Sequence, residues 1–292
     1  MGVKYLFGTL SILAALTIGA RAETILFVGN SFTFGEYATT KHYRAGEVHD
    51  LNPPDENGQT IGGVPAIFKT FTREAGLSYD VSLETEGGWG LDSHYQNRLQ
   101  ALDRRWGVVV LQSYSTLDQD RPGNPELLTE YTRKFDAMLH ARNPSVKIYL
   151  DATWSRADLT YQPGTPWSGK PITQMGLDVA AGYEAARKAS PGVAGVIPVG
   201  LAWNRAFATG FADPNPYDGI AAGQINLWGY DAYHASDYGY YLEALVIFGK
   251  VTGLDPLSLG PKEIVAADFG FSRAQASALQ QIAHDELAAQ KS

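Results

Sequence analysis

Three residues carry the chemistry that this sequence can offer. Ser31 stands in "ILFVGNSFTFG", immediately past an apolar run and the turn residue Gly29. A serine hydroxyl is a weak nucleophile and needs a base within hydrogen-bond reach. Asp231 and His234 stand three apart in "WGYDAYHASDYGYYLEA", ahead of a long helical pattern. On one turn, a carboxylate at that spacing can orient the ring's Nδ1 and leave Nε2 free for Ser31. Taken alone, Ser31 also fits an ordinary N-cap or turn serine. Of the other five histidines, His42 and His49 fall in a polar stretch and read as solvated. His140 and His284 fall in helical patterns and read as surface or satisfied residues. His94 follows the "GGWG" turn and reads either as a substrate contact or as a residue at a helix N-terminus.

Acyl transfer also needs donors where negative charge develops. Ser31's own N–H is the first candidate, and Gly88 in "EGGWG" can offer an unobstructed N–H. At the end of "VVVLQSYS", Gln112 could supply a side-chain donor, with Ser113 and Ser115 as alternatives. A plain β–α turn at the glycines and a strand-end residue at Gln112 are the structural readings. Asn30, Trp89, His94 and Trp154 are the candidate substrate contacts. The histidines are scattered without metal-like spacing, so neither metal nor cofactor is expected.

The surrounding pattern says which elements must position these residues. Strands are expected at Thr24 to Val28, Tyr79 to Leu83, Val108 to Leu111, Val146 to Leu150 and Val193 to Val199. Helices are expected at Val64 to Ala75, Ser93 to Arg105, Glu126 to Arg142, Ile172 to Lys188 and Ser236 to Val251. Strands alternating with helices imply a parallel sheet covered on both faces, with ligands beyond the strands' carboxyl ends. Two segments interrupt the rhythm, a polar insertion at about 35–63 and a Trp/Pro/Gly-rich loop from Ser155 to Pro171. Both leave from strand ends, so both are expected to overhang the site. Trp89, Tyr114, Trp154, Tyr161 and Trp167 lie in such places, where aromatic faces can stack on sugars or simply pack loops. The tail at about 261–292 reads as a connector and a terminal helix.

The chain has 292 residues, 45% hydrophobic, enough for one sizeable domain at 23–292. Residues 1–22 read as a cleaved signal peptide. Lys4 precedes a mostly apolar stretch from Tyr5 to Ile18, and Ala20-Arg21-Ala22 fits small-x-small cleavage. That stretch is short for a transmembrane helix. Its removal takes the formal charge from −8 to −10. So acidic a protein is a poor partner for nucleic acid or anionic lipid. There is no cysteine, which excludes disulfides and thiolate chemistry and fits an exported protein with a large core.

These blocks together resemble the SGNH (GDSL-type) hydrolases. "GNS" at Gly29 to Ser31 stands where that superfamily has G-D-S, Gly88 where it has an oxyanion glycine, and "DAYH" where it has D-x-x-H. The blocks keep family order across nearly the whole chain beyond residue 22. The third block departs: "LQSYS" replaces G-x-N-D, and Gln112 stands in for the family's oxyanion asparagine. The resemblance implies a three-layer α/β/α sandwich with a five-stranded parallel sheet and a Ser31-His234-Asp231 triad. It implies a serine esterase, with O-acetyl groups on a carbohydrate as the expected substrate, and the signal peptide makes it secreted or periplasmic. A lipase or thioesterase, an O-acetyltransferase and a catalytically silent glycan-binding module are the rival readings; fold does not choose among them.

Overall fold

The computed structural model describes residues 1–2, 22–54 and 57–291; the expected signal peptide falls almost wholly outside them. The chain builds a single parallel sheet of six strands. In chain order they are β1 (Glu23–Gly29), β2 (His49–Asp50), β3 (Tyr79–Thr85), β4 (Val108–Leu111), β5 (Lys147–Asp151) and β6 (Val193–Ile197). Their spatial order is β2-β3-β1-β4-β5-β6. β1 is central, running beside β3 from Glu23↔Tyr79 to Gly29↔Thr85 and beside β4 from Ile25↔Val108 to Val28↔Leu111. Such a strand must be apolar on both faces, and residues 25–29 are all buried.

Alternation along β1 divides the core in two. Ile25 and Phe27 join one cluster, with α2 (Gly63–Glu74), α8 (Val199–Ala208), α9 (Asp237–Thr252) and α11 (Arg273–Ala289). Leu26 and Val28 join the other, with α3 (Leu91–Asn97), α5 (Glu126–Arg142) and α7 (Ile172–Lys188). The remaining helices are single-turn or short: α1 (Ser31–Phe34), α4 (Leu99–Leu102), α6 (Ala157–Tyr161) and α10 (Ile264–Asp268). Helix α9 is buried nearly all round because α11 covers its outer side. It stops at Gly253, whose φ of 75° forms a left-handed C-cap.

The layered architecture matches the sequence reading, with local differences. The sheet has six strands rather than five, because the insertion lays His49–Asp50 against Ser82 and Leu83 of β3. The helix expected from Ser93 to Arg105 breaks at Arg98 into α3 and α4; φ −123°, ψ 15° takes that residue out of the helix. The last strand ends at Ile197 because Pro198 has no N–H to donate, and α8 begins at once.

Candidate active site

Ser31 begins α1 where β1 ends. Asn30 is the N-cap, its Oδ1 accepting from Phe32 N at 3.2 Å. Its Nδ2 donates to Trp89 O at 2.8 Å and Ser113 O at 3.2 Å, so the loops that leave β1, β3 and β4 are tied together. Gly29 allows no side chain: a Cβ there would lie 2.1 Å from Thr33 Oγ1 and 2.7 Å from Gln112 Oε1. Ser31's N–H, at the first position of a helix, has no intrahelical partner and remains available to a ligand.

Gln112, expected as a side-chain oxyanion donor, lies beneath the Ser31 turn. Its amide is fully buried. Oε1 accepts from Asn30 N at 2.8 Å and Thr33 Oγ1 at 3.2 Å, while Nε2 donates to Ser113 O. The amide oxygen is spent bracing the turn around Ser31, and one of the two Nε2 hydrogens is spent on Ser113 O. Ser115 Oγ accepts from Arg156 Nη1 at 3.4 Å, which leaves its own O–H as a donor.

His234 and Asp231 form the second part of the site. Asp231 Oδ2 lies 2.6 Å from His234 Nδ1, and Oδ1 accepts from the backbone N–H groups of His234 at 2.9 Å and Tyr233 at 3.1 Å. Burial pushes the Asp231 carboxyl up, but these hydrogen bonds outweigh it and hold the group below the usual carboxylate range. Ala232 turns the chain between them at φ 56°, a left-handed conformation that a residue with a Cβ seldom takes. The imidazole packs beside Phe32, ring centres 5.7 Å apart, which places it next to Ser31 in the fold. No hydrogen bond joins Ser31 Oγ to His234 among the described residues. Unliganded sites often hold such pairs apart until substrate closes them.

Trp154 and His94 are buried rather than open to substrate. The Trp154 ring stacks 4.2 Å from Phe32 and 4.7 Å from Trp203, and its Nε1 donates to Tyr233 O at 3.1 Å. It is the packing piece between serine turn and histidine turn. Trp167 also turns inward, Nε1 donating to Asp178 Oδ2 at 2.9 Å. His94 lies behind the Gly88 turn, its Nδ1 2.7 Å from the buried Glu84 Oε2. Trp89 is half-buried, edge-on to His94 at 5.3 Å and under the Arg98 guanidinium at 5.5 Å. Gly88 itself is exposed at φ 75° with open space where a Cβ would be.

Sequence reading missed Tyr37, Tyr230, Tyr233 and Arg156. Tyr37 presents its ring edge-on to His234 at 5.2 Å and meets Tyr230 at 5.0 Å. Arg156 lies 3.5 Å over the Tyr233 ring and forks onto Asp158 at 2.6 and 3.1 Å. Adjacency to "DAYH" was the available signal for Tyr230 and Tyr233; Tyr37 and Arg156 were marked only by lying in the two segments expected to overhang the site. Among the described residues no group of three or more His, Asp or Glu is placed to hold a metal ion.

No family model matches this chain, and no curated protein matches it in sequence. Solved structures do. A DUF4886 family protein from Bacteroides uniformis is similar at TM-score 0.63 and 16% identity, covering 91% of this chain and 95% of that one. A GDSL-like lipase from Parabacteroides merdae is similar at TM-score 0.53 and 18% identity, covering 79% and 95%. At such identities the likeness is one of fold: this chain has the α/β/α fold of the SGNH (GDSL-type) hydrolases.

Proposed function

We propose that the protein is an exported serine esterase that removes acyl groups, O-acetyl above all, from a carbohydrate. The observation that carries this reading is the 2.6 Å Asp231–His234 pair, its ring packed against Phe32, the residue next to Ser31. Ser31 Oγ attacks the ester carbonyl carbon while its proton passes to His234 Nε2. Asp231 keeps Nδ1 protonated and supports the imidazolium. The N–H groups of Ser31 and Gly88 receive the oxyanion, and Gln112 holds the first of these in place from behind. As the tetrahedral intermediate collapses, the alcohol leaves with the proton from His234. Water, deprotonated by the same ring, then hydrolyses the acyl-serine. Export is proposed from Lys4, the apolar stretch after it and Ala20-Arg21-Ala22. The N-terminus of protein recovered from outside the cytoplasm tests it, with cleavage expected after Ala22.

Assays with 4-nitrophenyl acetate and acetylated polysaccharides test the mechanism. Ser31→Ala and His234→Ala should each lower kcat on the order of 10⁴–10⁶-fold, the double variant being little worse than either. Asp231→Asn should lose roughly 10–10² less, since the ring keeps its backbone anchor. Turnover by Ser31→Ala near that of the parent, with the fold intact, removes the serine mechanism.

A further inference from the structure

Four tyrosines are exposed among the described residues: Tyr230 at 80%, Tyr37 at 54%, Tyr217 at 48% and Tyr161 at 40%. All four gather at the Asp231–His234 end of the molecule. Tyr230 and Tyr37 form one pair, ring centres 5.0 Å apart, and Tyr37 touches the His234 ring. Tyr161 and Tyr217 form a second pair at 5.9 Å. Tyr217 lies near enough to Asp231 and Asp158 to feel their charge. The members come from three separate segments of chain: the insertion, α6 and the connection between α8 and α9. Tyr37 even occupies a left-handed backbone conformation, φ 62°, to hold its place. Exposed rings scattered singly are ordinary, but rings gathered into pairs on one surface mark an interaction site. The other side chains around Ser31, such as Phe32 and Trp154, are packed away.

We propose that the two tyrosine pairs form a glycan-binding belt, so that the site acts on acyl groups carried by a chain of neutral pyranose rings rather than by a single small alcohol. The proposal rests on the esterase reading above and names its substrate class. A tyrosine ring offers a flat apolar face to the C–H face of a sugar, and its hydroxyl can bond the sugar's own hydroxyls. Two pairs provide for more than one ring. Nearby Asp158 and Glu36 are each paired with a cation, Arg156 at 2.6 Å and Lys41 at 2.9 Å, which leaves no free cation of either pair for a polyanion, and the chain charge of −8 adds no attraction for one. A lipid surface would be met by aliphatic side chains, and the belt has hydroxyl-tipped rings instead.

The test compares acetylated xylan and acetylated glucomannan with 4-nitrophenyl acetate, using Tyr217→Ala, Tyr230→Ala and the double variant. Neither residue touches His234. The double variant should lose at least tenfold more kcat/KM on the polymers than on the aryl ester, mainly through KM. Tyr217→Trp and Tyr230→Trp, which keep a ring, should retain polymer activity. Equal losses on both kinds of substrate, or no added loss on the polymers, overturn the belt. If the parent turns over the aryl ester but deacetylates neither polymer, the belt is overturned while the esterase stands. If the aryl ester is not hydrolysed either, the esterase reading fails. Affinity electrophoresis in gels containing the same polysaccharides then decides: retardation of the parent that the double variant loses upholds the belt, and none for the parent overturns it.

Discussion

At the scale of single residues, Gln112 shows how one buried amide can brace the turn that carries Ser31. Its Oε1 takes two donors that would otherwise be buried unpaired, Asn30 N–H and Thr33 Oγ1. Truncation leaves both without a partner, at a cost of about 1–3 kcal/mol each for buried groups. Gln112→Ala should therefore lower stability by about 2–5 kcal/mol, read by urea denaturation, and lower kcat because Ser31's N–H loses its brace. A true oxyanion donor would behave otherwise, losing kcat with stability almost unchanged. Gln112→Glu discriminates further. A carboxylate can still accept from Asn30, but its second oxygen then opposes Ser113 O where Nε2 now donates. It should fold less stably than the parent at neutral pH and recover in part as the pH falls and the carboxyl protonates. A Gln112→Glu variant as stable as the parent at neutral pH would contradict this account.

Among the elements, the insertion is the one whose role sequence pattern conceals. It is pinned to α9 by Asp237, which accepts from Thr39 Oγ1 at 2.6 Å, Thr40 N at 2.9 Å and Thr40 Oγ1 at 2.7 Å. Arg44 pins it again to Asp268 at 2.8 Å. Asp237 also begins α9, where a negative charge suits the helix dipole. Asp237→Ala should cost about 1–3 kcal/mol and speed proteolysis within 35–63. It should also reduce kcat/KM, because Tyr37 lies in the segment that is released. Asp237→Asn, which keeps one acceptor, should fall between; unchanged cleavage rates in both variants would show that the pins do not hold the insertion. The central strands were readable because a parallel strand covered on both faces must be a continuous apolar run. His49–Asp50 could not be read so: two polar residues become a strand only because β3 offers an open edge. The histidine turn was readable from a spacing of three. Of the four tyrosines only Tyr161 was, since tertiary folding alone brings three segments to one rim. Trp154 misled for the same reason, being a strand-end aromatic whose ring turns inward onto Phe32.

At the scale of the whole molecule, the sheet and α9 meet at a point of electrostatic conflict. Asp151 at the end of β5 and Glu243 within α9 are both fully buried. Burial pushes Asp151 up to about 7. Glu243 is raised well above the ordinary carboxylate range, by burial first and then by Asp151's charge. A proton shared between them suits the interior; two charges do not. The sign follows from linkage. The folded state binds these protons more tightly than the unfolded chain does. The stabilisation is complete below the unfolded carboxyl's value of about 4 and is lost as pH rises through about 7. Other carboxylates work in the opposite sense: Asp118, Asp231 and Asp268 are held low and gain stability as pH rises. The raw stability of the protein therefore mixes both slopes, and only a difference isolates the pair. Asp151→Asn keeps the shape and removes one titration. Measured by urea denaturation from pH 5 to 8, the parent should lose stability relative to Asp151→Asn as pH rises, on the order of 1–4 kcal/mol across the range. Parallel curves for parent and variant would mean that the buried pair carries no linked proton.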